Sequence, residues 1–299
     1  MNFSCRDGLL RPSATSTSKH RSVFVERLCL YLLLLALSFS LTGCNRIKSA
    51  FDSLFHRHHA TEARRPSRTP HPQAPTATAP SARLAIILDD VASNPSSVDA
   101  IFALHYPLTL SVLPNHPRSA QIAQEAHRRG YQVMLHLPME SIANETPEPE
   151  ELRPGMSSTQ ISSALDAMLA TVPDAVGVNN HQGSLATSNP QLMAELMPLL
   201  HAHHLFFVDS RTTAATTAYE QAQSAGVPSA FRNVPFLDDV QDVTAIRKQL
   251  ELAFKDARER HDAIAIGHPH PETLQALSEL LPKAESQGIR LVHVSDLVH

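Results

Sequence analysis

Tryptophan is absent from this sequence of 299 residues, and aromatic residues make up only 5% of it. This scarcity argues against a binding site built on extensive aromatic stacking platforms. Cysteine is almost as rare, since all three cysteines, Cys5, Cys29 and Cys44, lie within the first 44 residues. If Cys5 and Cys29 are removed with a targeting segment and Cys44 is lipidated, the rest of the chain has neither a free thiol nor a disulfide and needs no particular redox compartment.

An excess of basic charge is also missing from the body of the chain. The formal net charge is −4 with neutral histidines, and the basic residues crowd toward the N-terminal portion. A nucleic-acid-binding surface needs clustered lysines and arginines, so no nucleic-acid partner is expected.

Residues 1–44 have the organisation of a targeting segment. Five basic residues precede an apolar stretch from Leu28 to Leu41, which is short for a transmembrane helix and typical of a signal peptide. The stretch ends in Leu-Thr-Gly-Cys44, which resembles a bacterial lipobox. We therefore predict a lipoprotein of the bacterial cell envelope, facing the periplasm or the exterior and held in the membrane by a lipid anchor at Cys44. The alternative is an uncleaved anchor helix with an incidental cysteine.

Residues 45–82 differ in composition from both neighbours. They are rich in proline, alanine and threonine and contain few large apolar side chains. Such a segment cannot bury enough surface to offset the entropy of ordering it, so the composition predicts a disordered tether. The remaining residues, 83–299, are predicted to form one folded domain.

The domain begins with five aliphatic residues, Leu84–Leu88, followed by two carboxylates, Asp89 and Asp90. An apolar run without alternation is typical of a strand covered on both faces, as in a parallel sheet. Further apolar runs alternate with amphipathic stretches down to the C-terminus, which predicts repeated βα units in an α/β fold. Because polar clusters follow nearly every strand, a closed barrel is favoured over a doubly wound sheet.

These polar clusters contain the candidate functional residues. They comprise Asp89 and Asp90 after the first strand, His136 and Glu140 in and after the third, Asn180 and His181 after the fourth, Asp209 and Arg211 after the fifth, and His268 and His270 after the seventh. Carboxylates and imidazoles without cysteine are ligands suited to zinc or a similar divalent metal in an open site. A metal-free polar pocket is the alternative.

The same motifs, in this order, resemble those of the divergent polysaccharide deacetylase family. They are Asp-Asp, His-Leu-Pro-Met-Glu, Asn-Asn-His-x-Gly-Ser, Asp-Ser-Arg-Thr and Gly-His-Pro-His-Pro-Glu-Thr, between Leu84 and Leu297. The resemblance implies a distorted (β/α) barrel of about seven units and a metal-dependent removal of acetyl groups from an N-acetylated envelope polysaccharide or peptidoglycan-type glycan. It also implies that Asp89 is a general base and Asp90 a metal ligand.

The third-strand motif departs from the pattern of the better understood relatives. Those have two histidines about four residues apart, whereas here His136 is followed at that spacing by Glu140. The resemblance then leaves the second nitrogen ligand to His181, with Glu140 as an oxygen alternative. The predicted metal ligands are therefore Asp90, His136 and His181.

Hydrolysis of an amide also needs a proton for the leaving amine. We assign this role to His268 or His270, with Asp209 orienting one of them. Asn180 and Arg211 are predicted to bind substrate, although Asp209 and Arg211 also fit an ordinary strand-end turn with a surface ion pair.

Two other functions are compatible with the same residues. The first is a tethered, non-catalytic domain that keeps the metal pocket and binds a glycan or a protein partner, which the altered third-strand motif favours. The second is a metal-dependent phosphoesterase, against which stands the lack of a glycine-rich phosphate loop.

Overall fold

The computed structural model describes residues 82–143 and 147–299. The predicted signal peptide, the lipidated Cys44 and nearly all of the predicted tether lie outside these residues. Eight strands and seven helices are described. The strands are β1 (Ala82–Val91), β2 (Thr109–Val112), β3 (Gln132–Met139), β4 (Ala175–Gln182), β5 (Phe206–Asp209), β6 (Ser229–Phe231), β7 (Asp262–Gly267) and β8 (Ile289–Val292); the helices are α1 (Val98–Phe102), α2 (Ser119–Arg128), α3 (Ser158–Thr171), α4 (Pro190–Ala202), α5 (Ala218–Ser224), α6 (Val243–Arg260) and α7 (Pro271–Leu280).

The strands form one parallel sheet in the order β6-β5-β4-β3-β2-β1-β7, with β8 paired to the first residues of β1. After β6 the chain is irregular, but Asn233 N–H and Leu237 N–H donate to the carbonyls of Ile264 and Ile266 in β7. Backbone hydrogen bonds from this loop thus connect the two edges of the curled sheet, in place of a regular ladder between two strands. This architecture confirms the predicted distorted α/β barrel.

Two apolar cores cover the two faces of β1. Leu84, Ile86 and Leu88 pack into the larger core, which includes most of the buried helix side chains, whereas Ala85 and Ile87 belong to a smaller core with side chains of the other strands. All five are at most 1% exposed. The unbroken aliphatic run therefore reflects burial on both faces, as predicted.

Helix starts follow from local side-chain chemistry. Ser157 and Gln160 form a reciprocal capping box at α3, and the Asn189 and Asp242 side chains accept from backbone N–H groups at the starts of α4 and α6. The amphipathic stretch of residues 271–287 is helical only to Leu280 and continues as two 3-10 turns. Pro282 explains the break, because proline lacks a backbone N–H and clashes with the preceding turn.

Across residues 82–143 and 147–299, no helix is long and apolar enough to cross a membrane.

Candidate functional site

The two adjacent carboxylates at the end of β1 enter the same site because the strand is irregular there. Side chains of neighbouring residues in a regular strand point to opposite faces. The pairing of β1 with β2 shifts between Leu88 and Val91, and Asp90 has a left-handed backbone with φ of 55°. This bulge lets Asp89 and Asp90 both approach His136 of β3, at 3.7 Å and 3.1 Å from its Nε2 atom.

Asp90, His136 and His181 form a compact group that we call the Asp-His-His cluster. Asp90 Oδ1 lies 3.1 Å from His136 Nε2 and 2.9 Å from His181 Nδ1, and the two nitrogens are 3.2 Å apart. A tetrahedral metal with bonds of about 2.0–2.2 Å separates its ligand atoms by about 3.3–3.6 Å. The cluster therefore has nearly the dimensions that such an ion requires.

The chemistry of Asp90 also fits a cation. Its Oδ1 atom is buried without a hydrogen-bond partner, although two imidazole nitrogens lie within 3.1 Å. Burial alone would raise the pKa of Asp90, but the facing imidazoles of His136 and His181 outweigh it and lower this pKa well below its usual range. An ionised oxygen and two nitrogens that converge on one point are the donor set of an open zinc-type site.

Asp89 lies beside the cluster in a different environment. It is buried, and its Oδ1 atom accepts a hydrogen bond of 2.8 Å from Asn179 Nδ2. Burial raises the pKa of Asp89, and the nearby His136 and His268 offset this only in part. A carboxylate with a raised pKa next to a cation site has the properties of a proton acceptor.

The imidazole of His268 lies beside Asp90 and is held by a residue that none of the sequence motifs includes. Its Nε2 atom lies 3.9 Å from Asp90 Oδ2, while its Nδ1 atom lies 3.0 Å from Asp238 Oδ1. The other oxygen of Asp238 accepts from the backbone N–H of His268 and from Thr273 Oγ1. Asp238 thus fixes the ring, and its position in the irregular segment after β6 gave no signal in the sequence.

This pairing changes the charge of the imidazole. Burial alone would lower the pKa of His268, but Asp238 and the carboxylates of Asp89 and Asp90 raise it to about 9. The ring therefore carries its proton at neutral pH and faces the cluster with an N–H donor.

Asp238→Asn should lower the pKa of His268 by about one unit or more, because an adjacent carboxylate raises the pKa of an imidazole by about this amount. NMR titration of His268 measures the change, and the basic limb of any pH profile that depends on this proton should move to lower pH. Thr273→Val is the matched control, since it removes a hydrogen bond to Asp238 but keeps the charge. An unchanged titration in the asparagine variant would contradict the pairing.

Two predicted roles need correction. Asp209 does not orient a histidine, because its Oδ1 accepts from the Arg211 N–H and its Oδ2 from Thr216 Oγ1, both in the following loop. Asn180 is buried. Its Nδ2 group donates a hydrogen bond to Gln182 O, and its Oδ1 atom accepts one from the Ser210 N–H. Both side chains are engaged in holding the loops after β4 and β5, so we withdraw the orienting role of Asp209 and the substrate-binding role of Asn180.

The remaining candidates lie near the cluster but outside it. Within the described ranges, Glu140 belongs to neither group of side chains that could hold a metal, so the oxygen alternative to His181 is not supported. The ring of His270 lies 5.8 Å from that of His268, and its Nε2 faces Gln241. The guanidinium of Arg211 lies 3.5 Å from the centre of the Phe231 ring. Roles for His270 and Arg211 stay predictions.

The order and spacing of these residues agree with a known family. The sequence model of the divergent polysaccharide deacetylase family matches residues 86–298. The chain belongs to the divergent polysaccharide deacetylase family. The match spans β1 to the residues after β8 and includes every side chain of the site described above, so the resemblance of the motifs is confirmed.

Relatives of this deacetylase-family chain are found in two bacteria. It is 38% identical over 217 residues to the uncharacterized protein YibQ of Escherichia coli, which covers 73% of this chain and 67% of YibQ. It is 37% identical over 215 residues to an uncharacterized protein of Haemophilus influenzae, covering 72% and 76% of the two chains. The crystal structure of an uncharacterized protein from Agrobacterium tumefaciens is similar with a TM-score of 0.69 and 23% identity, over 73% of this chain and 89% of that chain, and supports the fold alone.

Proposed function

We propose that the protein is a metal-dependent hydrolase that removes acetyl groups from an N-acetylated polysaccharide of the cell envelope. The observation that carries the proposal is the Asp-His-His cluster with one buried carboxylate, Asp89, and one protonated imidazole, His268, beside it. Membership of the divergent polysaccharide deacetylase family supports the substrate class.

Asp90, His136 and His181 would hold the metal, which we propose to be zinc. A divalent ion bound there supplies Lewis acidity, which polarises a carbonyl and makes water more acidic. Part of the cluster is accessible to solvent, because the Asp90 side chain is 29% exposed and that of His181 15%. A substrate needs such access to approach the three ligands.

Asp89 and His268 divide the proton transfers of amide hydrolysis. Asp89 accepts a proton from the attacking water while the water oxygen forms its bond to the acetyl carbon. His268 donates its proton to the nitrogen as the C–N bond breaks, so the products are acetate and a free amine on the sugar. Asp238 keeps the imidazole charged and oriented for this step.

The non-catalytic alternative is less well supported by this geometry. It depended on the third-strand motif, in which Glu140 stands where relatives have a second histidine. His181 of β4 supplies a nitrogen donor beside His136, so the donor set does not depend on position 140.

Acetate release from N-acetylglucosamine oligosaccharides and from peptidoglycan, by the purified full-length protein, tests the proposed reaction. We expect release that a chelator abolishes and zinc restores. Tight metal binding without acetate release from any N-acetylated glycan would contradict the hydrolase and favour the tethered binding domain.

We also propose that the protein is a membrane-anchored lipoprotein, on the grounds of the lipobox-like sequence that ends at Cys44. One acyl chain anchors a protein only marginally, whereas the several chains of a bacterial lipoprotein anchor it stably. Cys44→Ala should therefore accumulate as an unprocessed precursor, visible as a larger species on a gel and as loss of lipid labelling. Normal processing of this variant would refute the assignment.

A further inference from the structure

Asn179 lies at the centre of the polar groups beneath the Asp-His-His cluster. It is fully buried in β4, and its side-chain amide makes four hydrogen bonds. Its partners are Ser111 Oγ, His136 Nδ1 at 2.9 Å, Asp89 Oδ1 at 2.8 Å and Ser210 Oγ at 3.1 Å. These partners come from β1, β2, β3 and the end of β5, so one amide links five strands of the barrel.

The direction of each hydrogen bond follows from the chemistry of the partners. An ionised carboxylate only accepts, so the Nδ2 group of Asn179 must face Asp89. The Oδ1 atom of the same amide then faces His136, whose Nδ1 atom must donate. The serine hydroxyls adapt to either arrangement and do not decide it. With its proton on Nδ1, a neutral His136 directs the lone pair of Nε2 toward Asp90 and His181.

We infer that Asn179 is a positioning residue that fixes His136 in the tautomer able to bind a metal through Nε2 and ties that tautomer to the orientation of Asp89. The inference rests on the proposed function for its metal, but the tautomer is a property of this chain alone. Partners that orient ligand histidines in this way typically contribute 10- to 100-fold to metal affinity.

Two substitutions distinguish the role of the amide oxygen as an acceptor from that of the amide nitrogen as a donor. Asn179→Asp keeps an acceptor for His136 Nδ1–H and removes the donor to Asp89, whereas Asn179→Leu removes both at similar size. Asn180→Leu is the matched control, because Asn180 is the next residue, is equally buried, and bonds to loop groups instead of His136 or Asp89.

The tautomer is read from imidazole ¹⁵N shifts of His136 in the metal-free full-length protein at alkaline pH, and zinc affinity from competition with a chelator. Wild type and Asn179→Asp should show Nδ1–H, with zinc affinities alike within a few-fold. Asn179→Leu should shift the proton toward Nε2, where it faces Asp90, and should weaken zinc binding about 10- to 100-fold. The control should keep the wild-type tautomer and zinc affinity even if its melting temperature falls.

An Nδ1–H tautomer and wild-type zinc affinity in Asn179→Leu would overturn the inference. If that variant does not fold, loss of the Nδ1–H tautomer in Asn179→Asp would overturn it instead. If the wild type binds no zinc, the proposed function fails, but the tautomer comparison still decides the role of Asn179.

Discussion

Replacing Asp90 by alanine should weaken zinc binding by about 100-fold or more, beyond the 10- to 100-fold typical of groups that only support a ligand. Asp90 Oδ1 lies within 3.1 Å of both histidine nitrogens and is the one negative charge of the Asp-His-His cluster. Its removal leaves the two imidazoles to hold the ion alone. His181→Ala should have an effect of the same order, because the cluster then keeps a single nitrogen.

Metal analysis of the dialysed proteins and chelator competition measure these losses. Asp262→Ala is a suitable control, because Asp262 is also a carboxylate in an ion pair, with Arg83 at the start of β1, but lies at the N-terminal ends of the strands. Its affinity for zinc should equal that of the wild type. Full metal occupancy in both His136→Ala and His181→Ala would exclude the cluster as the metal site.

Asp89→Asn should keep the metal and reduce hydrolysis by about 10²- to 10⁴-fold, the usual contribution of a general base. The substitution preserves size, and the amide oxygen introduced at position 89 can still accept from Asn179 Nδ2. The proton-accepting function is lost because an amide is not basic. Acetate release and zinc content, measured on the same preparation, separate the two effects.

Loss of zinc from Asp89→Asn would make Asp89 a ligand instead of a base. Unchanged acetate release would show that Asp89 does not take part in the reaction. The pair Asp90→Ala and Asp89→Asn thus distinguishes the two adjacent carboxylates by what each variant retains.

The strands could be predicted because burial on both faces leaves an unmistakable pattern. Leu84–Leu88 is uniformly aliphatic since both of its faces are covered, and the polar residues that follow it mark where the strand reaches the open end of the barrel. Helices α1 and α5 leave no comparable pattern, because five and seven residues are too few to show a helical period.

The site was only partly predictable, because side-chain direction depends on details that composition does not record. The left-handed backbone of Asp90 brings two neighbouring carboxylates together, and nothing in the residue types requires it. Asp209 and Asn180 lie near the C-terminal ends of their strands just as Asp90 does, but their side chains accept hydrogen bonds from backbone N–H groups of the loop after β5. Asp238 lies on an irregular segment far from any motif, and only the fold brings it to His268.

A crystal structure of the zinc-loaded protein with anomalous diffraction data tests the central claim most directly. We predict one strong peak within about 2.0–2.2 Å of Asp90 Oδ1, His136 Nε2 and His181 Nδ1. A peak at Asp238, His268 and His270, the other group of potential ligands among the described residues, with none at Asp90, would contradict the account.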